Sequence, residues 1–434
     1  MAPSAVHDLD VSAARSHFPA LASGFIFGDN AGGSQASIET ITRITDYLSN
    51  TNVQLGATYS VSEKTTHRVY VEGPAEAAKL FNARSPDEIV FGASSTANLE
   101  NLARGLDDDI SEGDEFIVTG EHEANAGPWK KLAARKGASI KYWHPTATNP
   151  SNPYSVKLHI EDLLPLVSER TRIVAFTACS NILGSIVPVK EVAKAVREEA
   201  KAKGSKKVEI SVDCVAYAPH RRIDVQDWDV DYCVFSFYKV YGAHISALYV
   251  RSTALQESVK PIIHHFLASN PQIASTSYKL QPGGPGYELV YSVTGVTSYL
   301  NSLTLAGTLQ ASFDAIAHYE QKLIEPLLSY LTDPKQQERG VRVVGEEQAG
   351  LGRVPTISFV VVGQKPIKSK DIVEVFDKKG GVGIRYGHFY AYTLVEELSP
   401  KLDIDDAVVR ISLVHYNTVE EVNRIIDILK EILA

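Results

Sequence analysis

Between Glu88 and Val250, short runs of β-branched and aromatic residues alternate with longer segments of helical spacing. That alternation is the pattern of a mostly parallel sheet with crossover helices, so the fold class is α/β. Strands are predicted at Glu88 to Gly92, Glu115 to Thr119, Ile140 to Trp143, Thr171 to Ala178, Val208 to Asp213, Tyr232 to Ser236 and Ser246 to Val250, a sheet of about seven. A helical stretch from Val290 to Leu331 follows. Beyond it, strands near Arg342 to Val344, Thr356 to Val362 and Val408 to Leu413 precede an amphipathic helix from Thr418. The reading is a large domain over 25–295 and a smaller C-terminal α/β domain over 296–434, on which segment 1–24 packs.

Length supports two domains, since 434 residues exceed the usual size of one core. The net charge of −9 disfavours a nucleic-acid backbone or an anionic membrane surface as partner. Cys179, Cys214 and Cys233 lie in apolar runs without paired spacing, which supports neither a disulfide framework nor a metal site and fits a reducing cytoplasmic setting. Met1 to Asp10 has no signal-peptide pattern, and no apolar run approaches the ~18 residues of a membrane span. The Lys/Ala/Glu-rich stretch Val196 to Lys207 reads as a solvated helix face. The cluster Pro282-Gly283-Gly284-Pro285-Gly286 is either a hinge loop or a place where backbone approaches a ligand.

The chemistry-bearing residues sit where strands end. One apolar strand ends in Asp213, the next in Ser236, and Phe237-Tyr238-Lys239 follows at once. In open α/β sheets ligands bind at that edge, so an acid and an amine there can address one molecule. Burial lowers an amine's pKa and makes it nucleophilic, which suits Schiff-base chemistry, and the acid suits a pyridinium nitrogen. A solvated lysine and a turn-forming aspartate are the plainer readings. Gly92-Ala93-Ser94-Ser95-Thr96-Ala97-Asn98 is a small-residue turn entering a helix, either a phosphate cradle or an ordinary Ser/Thr cap. Gly120-Glu121-His122-Glu123-Ala124-Asn125 puts the His122 imidazole at the same edge, where its ring can stack on an aromatic cofactor. Arg410 lies on a strand of the small domain, either facing inward to hold a carboxylate or lying at the surface.

These motifs, with FGDNAGGSQ at Phe27, SNILGSIVPVKEV, RYGHFYAY at Arg385 and VRISLVHYNTVEEV, resemble in order and over nearly the whole chain the class V aminotransferase or cysteine-desulfurase family of fold-type I pyridoxal-phosphate enzymes. The resemblance implies pyridoxal 5'-phosphate bound covalently through Lys239, with Asp213 on the pyridine nitrogen and His122 stacked on the ring. Ser95, Thr96, Ser236 and Tyr238 match phosphate-side positions, and Asn181 matches an asparagine near the phenolic oxygen and the substrate. Arg410 matches the clamp on the substrate carboxylate, with Arg385 and Tyr390 on the substrate side. It also implies a homodimer with shared active sites, in which a neighbouring loop near Gly283 to Tyr291 completes the phosphate site.

Two positions depart from the family pattern. Tyr390 stands where desulfurases carry a mobile cysteine, and without a thiolate the usual persulfide route is closed. Ala216 replaces a Gln or His that hydrogen-bonds the cofactor. Tyr217, Tyr238, Phe389, Tyr390 and Tyr392 are candidates for a larger aromatic pocket, some of them plain core residues. The wording DNAGGSQ and VDxVxYAPH is similar to fungal alkaloid-pathway enzymes of the loline-type Mannich cyclase kind. That similarity implies a small amino-acid substrate, decarboxylation to a stabilised carbanion, and ring closure on an iminium held against π faces. A carbon–sulfur β-lyase without persulfide and a catalytically degenerate binding protein are the alternatives.

Overall fold

The computed structural model describes residues 8–263, 276–281 and 283–434. Its central sheet holds β1 Ile89–Gly92, β2 Glu115–Thr119, β3 Ser139–Trp143, β4 Thr171–Thr177, β5 Glu209–Asp213, β6 Tyr232–Ser236 and β7 Ser246–Val250, in the order β1-β7-β6-β5-β4-β2-β3. The strands from β3 to β6 run parallel, and β7 is antiparallel to both β6 and β1. Each strand lies within a residue of its predicted place, because six of the seven are buried along nearly their whole length, while the edge strand β3, exposed at Ser139 and half-buried from Ile140 to Tyr142, ends in the buried Trp143. Alternate residues feed two cores: Ile117, Val174, Val212 and Phe235 on one face, Val118, Ala175, Val234 and Leu248 on the other.

Helices α1 Ile38–Asn50, α2 Ser95–Gly105, α3 Glu123–Lys136, α4 Val189–Ala202, α5 Tyr287–Ser302 and α6 Leu309–Leu331 surround this sheet or leave it. On α4, Val189, Val192, Ala193, Val196 and Ala200 are buried beneath the charged face foreseen from composition. The predicted helical stretch Val290 to Leu331 divides into two helices, because Gly307 adopts φ +63° and Thr308 caps α6 by accepting the Ala311 amide. Packing of α5 on α1 depends on Gly295, where a Cβ would stand 2.6 Å from the Thr40 backbone nitrogen. Residues 295 and 296 both lie inside α5, whose buried side chains Val290, Val293, Val296 and Leu300 belong to the sheet's core.

The second sheet is antiparallel: β8 Val341–Val344, β9 Thr356–Val361, β10 Arg385–Gly387 and β11 Val408–Ser412, ordered β8-β9-β11-β10. With α6, α7 Ser369–Lys379 and α8 Val419–Ile432 it encloses Leu327, Ile357, Phe359, Ile411 and Leu429. Thr418 and Glu421 form a capping box at the start of α8. Strand β10 was not foreseen, since its three residues are partly exposed and show no alternation. The segment Leu9 to Phe18 bridges the two units: Leu9 joins the small core, Arg15 pairs with Glu421 at 2.9 Å, and Phe18 packs on Tyr416. Among the described residues, no helix is long and apolar enough to cross a membrane.

Candidate active site

The C-terminal edge of the parallel strands and the facing edge of the small sheet enclose a cavity of about 500 Å³. Asp213, the last residue of β5, is buried and accepts the Val215 amide at 2.8 Å; burial raises its carboxyl pKa. One strand over, β6 runs into the turn Phe237–Lys239 and delivers Lys239 to the cavity wall. Burial, helped by the Arg410 charge and opposed by Asp213, pushes the Lys239 amine down to about 8.

His122 begins α3, and its Nδ1 accepts the Ala124 amide at 3.2 Å, which leaves the proton of the neutral ring on Nε2. Burial and the nearby Lys239 and Arg410 charges push its pKa down to about 4. At the start of α2, Ser94 accepts the Ala97 amide, and the first-turn amides of Ser95 and Thr96 have no intrahelical partner beside the cavity that Thr96 borders.

Arg410 enters from β11 and is 1% exposed. Its Nη2 donates to Asp29 Oδ1 at 2.8 Å, its Nη1 to the Asn181 carbonyl at 3.2 Å, and its guanidinium lies 3.7 Å from the Phe389 ring centroid. Its buried Nε has no partner among the described residues. Arg385, largely exposed, approaches the other Asp29 oxygen at 3.4 Å.

Thr96, His122, Asn181, Tyr238, Lys239, Arg385, Tyr390 and Arg410 thus line one cavity. Others stand back from it. Ser95 and Ser236 face each other at 2.8 Å behind the turn, and Ser95 also meets Ser246 at 3.1 Å. The Asn181 amide donates to the Phe389 carbonyl at 3.0 Å. Of the five aromatic candidates, Tyr238, Phe389 and Tyr390 line the cavity. Tyr217 does not, because the turn after β5 sends it edge-on against Trp228, and Tyr392 is turned outward beside His388 at the start of a short helix. Gly284 to Gly286 border a neighbouring depression with Phe91, Asn101 and His244, while Pro282 of that cluster lies outside the described residues.

Three residues escaped the sequence reading. Asp29 holds Arg410, yet DNAGG reads locally as a turn. Glu121, beside His122, is 1% exposed, and burial together with Asp213 pushes its carboxyl up to about 8; an acid directly after a buried strand was the available signal. His244 stacks on Tyr238 at 4.9 Å and 3°, fixing that ring along the wall. The three cysteines are buried away from the cavity, whereas Tyr390 is 70% exposed on its rim.

A desolvated lysine near a buried acid at such an edge is the arrangement that pyridoxal-phosphate enzymes use to hold their cofactor. The model of the aminotransferase class-V family matches residues 26–425, and the chain belongs to that family, whose cofactor is pyridoxal phosphate. It is 43% identical over 425 residues to the aminotransferase-like protein FGM3 of Gibberella zeae, covering 96% of this chain and 97% of that one. It is 32% identical to the cysteine desulfurase-like protein ustD of Aspergillus flavus, covering 98% and 91%. Among solved structures, the apo cysteine desulfurase of Thermococcus onnurineus NA1 superposes with a TM-score of 0.81 at 21% identity over 99% of both chains, a likeness of fold.

Proposed function

We propose that this protein acts on a free α-amino acid, with pyridoxal phosphate bonded to Lys239 and the substrate carboxylate held by Arg410. The observation that carries this reading is the pair of groups lining one cavity: a buried amine with a pKa near 8, and a buried guanidinium whose Nε lacks a partner. The donor set fits the cofactor. Asp213 suits the ring nitrogen, the flat neutral His122 suits the ring face, and Thr96 with the α2 amides suits the phosphate, backed by the Ser95, Ser236 and Tyr238 hydroxyls.

When bound, the cofactor supplies an electron sink for negative charge at the substrate Cα. The chain's residues do the rest. Lowered by burial to about 8, the Lys239 amine can give up its proton near neutral pH, which suits a residue that would hold the cofactor and hold or return a proton at Nζ. Burial, with the Lys239 and Arg410 charges, keeps His122 uncharged, so it adds no repulsion to Lys239. Arg410 fixes the carboxylate by a charge-assisted fork, and its angle decides which Cα bond stands perpendicular to the ring and breaks.

The reaction we assign is decarboxylation followed by Mannich-type ring closure, as in fungal specialised metabolism. It is supported by the absence of a cysteine from the cavity wall and by the Tyr238 and Tyr390 rings, which offer π faces to an iminium cation. A homodimer is part of the reading, supported by the exposed apolar residues Ile38, Ile41, Leu48, Tyr70 and Val71; light scattering that gives a monomer would remove it. Three free buried cysteines support a reducing, cytoplasmic setting.

The test is borohydride reduction of the protein loaded with pyridoxal phosphate, peptide mapping, and product analysis with amino acids that carry a secondary γ-amine together with an added aldehyde, which condenses with that amine to the iminium and releases water. A label on Lys239, carbon dioxide release and a cyclic product are expected. No label overturns the cofactor assignment. Sulfide from cysteine substrates replaces the cyclase with a β-lyase, and stoichiometric keto acid replaces it with a transaminase.

A further inference from the structure

Two residues beyond Lys239, Tyr241 is fully buried with φ +62°. A side-chain-bearing residue stays in that left-handed region only where its surroundings over-determine it. Here the backbone is held on both sides: the Tyr241 amide donates to Ser34 Oγ at 2.9 Å, and its carbonyl accepts from the Ser37 amide at 2.9 Å. The ring is packed by Phe18, Tyr299, His415 and Tyr416.

Inside that packing runs a polar chain whose direction is fixed by one carbonyl. Tyr241 Oη lies 2.8 Å from the Pro219 carbonyl, which only accepts, so the tyrosine donates there. His415 Nδ1, 3.0 Å from Tyr241 Oη, must then donate to it. His415 Nε2 carries no proton in that tautomer and accepts from Tyr299 Oη at 2.5 Å. Burial, with His220 nearby, pushes the His415 pKa down to about 3 and keeps the ring neutral. Every donor and acceptor of the imidazole is used.

The segments joined this way are the ones that bear the site. Tyr241 follows Lys239, Pro219 lies six residues past Asp213, His415 lies five past Arg410, and Tyr299 belongs to α5. We propose that His415 is a positioning residue: through Tyr241 and Pro219 it sets the Lys239 amine against Asp213 and Arg410 across the boundary between the two sheets. The inference rests on the reading of Lys239 as the reactive amine. It also gives a reason for a fully buried histidine that touches no wall of the cavity.

The test reads Lys239 without the cofactor. Reductive methylation with formaldehyde and cyanoborohydride, followed by peptide mass mapping across pH, gives the titration midpoint of this amine; the parent is expected near pH 8. In His415→Leu and Tyr241→Phe the anchored turn relaxes, so the amine gains water and moves from Arg410. The midpoint then rises by at least half a unit, and turnover of the loaded enzyme falls at least tenfold. His415→Asn, which keeps a donor near the Nδ1 position, recovers most of both. The double variant is no worse than His415→Leu, since both changes break one path. If His415→Leu does not fold, Tyr241→Phe, which removes one oxygen, decides the matter. A folded variant with an unchanged Lys239 midpoint and unchanged turnover overturns the proposal. A parent that shows the midpoint near 8 but captures no pyridoxal phosphate sinks the proposed function instead.

Discussion

Asp29→Asn tests the charge arrangement at the carboxylate end of the cavity. In the parent, the Asp29 side chain is a quarter exposed and stands 2.8 Å from the buried Arg410. Stripping one partner from a fully buried pair costs ~3–5 kcal/mol, whereas an exposed pair contributes ~0–1 kcal/mol. A pair buried on one side only falls between, and Asn keeps a hydrogen-bond acceptor, so about 2 kcal/mol is expected. With an unfolding entropy of ~2.1 cal/mol/K per residue, that loss lowers the thermal midpoint of a 434-residue chain by about 2 °C. The more telling effect has the opposite sign. Arg410 in the variant is a buried cation without a counter-charge, so added acetate should bind and stabilise it, by ~2.7 kcal/mol at a hundredfold excess over its Kd. Thermal unfolding followed during acetate titration, with acetamide as the neutral control, measures both. Equal midpoints for parent and variant, or equal responses to acetate, would refute this account of Asp29.

Arg410→Ala should raise KM for the amino acid by about 10- to 100-fold, the loss of one charge-assisted fork, with the fold retained; steady-state kinetics on intact protein checks it. For Glu121, whose folded pKa is raised to about 8 from the ordinary 4.5, the stabilisation is complete below pH 4.5 and is lost as pH rises through 8, so Glu121→Gln should flatten the fall in urea midpoint between pH 5 and 9. His122 has the reverse sign: its pKa drops from 6.5 to about 4, so its contribution is present above pH 6.5 and is lost as pH falls toward 4, a loss that His122→Asn should remove from acid-unfolding curves. Gly295→Ala puts a methyl against the α1 backbone and should cost about 1–3 kcal/mol, read by denaturant unfolding.

The sheet was legible because its strands other than the edge strand β3 are buried on both faces, so composition marked them, and the acid and amine were legible because Asp213 ends one such strand and Lys239 closely follows another. Thr308 and Gly307 carried a readable cap and turn, but apolar spacing runs across them and hid the break between α5 and α6. Strand β10 left no trace because three half-exposed residues hold no period. The aromatic pocket was only half legible: Tyr217 and Tyr390 look alike in sequence, and only the turn after β5 and the positive φ of 62° at Tyr390 decide that one packs inward and the other reaches the rim. Asp29 and Glu121 acquire meaning from partners hundreds of residues away or from burial, neither of which a local window contains.

The pairing of Asp29 with Arg410, and of Asn30 with Ser412 and Asn417, spans more than 380 positions of the chain. The parallel sheet that carries Asp213 and Lys239 has its last strand at Val250, so at a synthesis rate of ~5–20 residues per second it precedes Arg410 by roughly 8–30 s. During that interval a nascent chain carries Asp213 and Lys239 while Arg410, which faces them across the cavity, is still unmade. Contacts this distant in sequence form late and slowly. The cavity wall is therefore completed only by the last quarter of the chain, and a product truncated before Arg410 would keep the large sheet's sequence but lack the residue that joins the two sheets through Asp29.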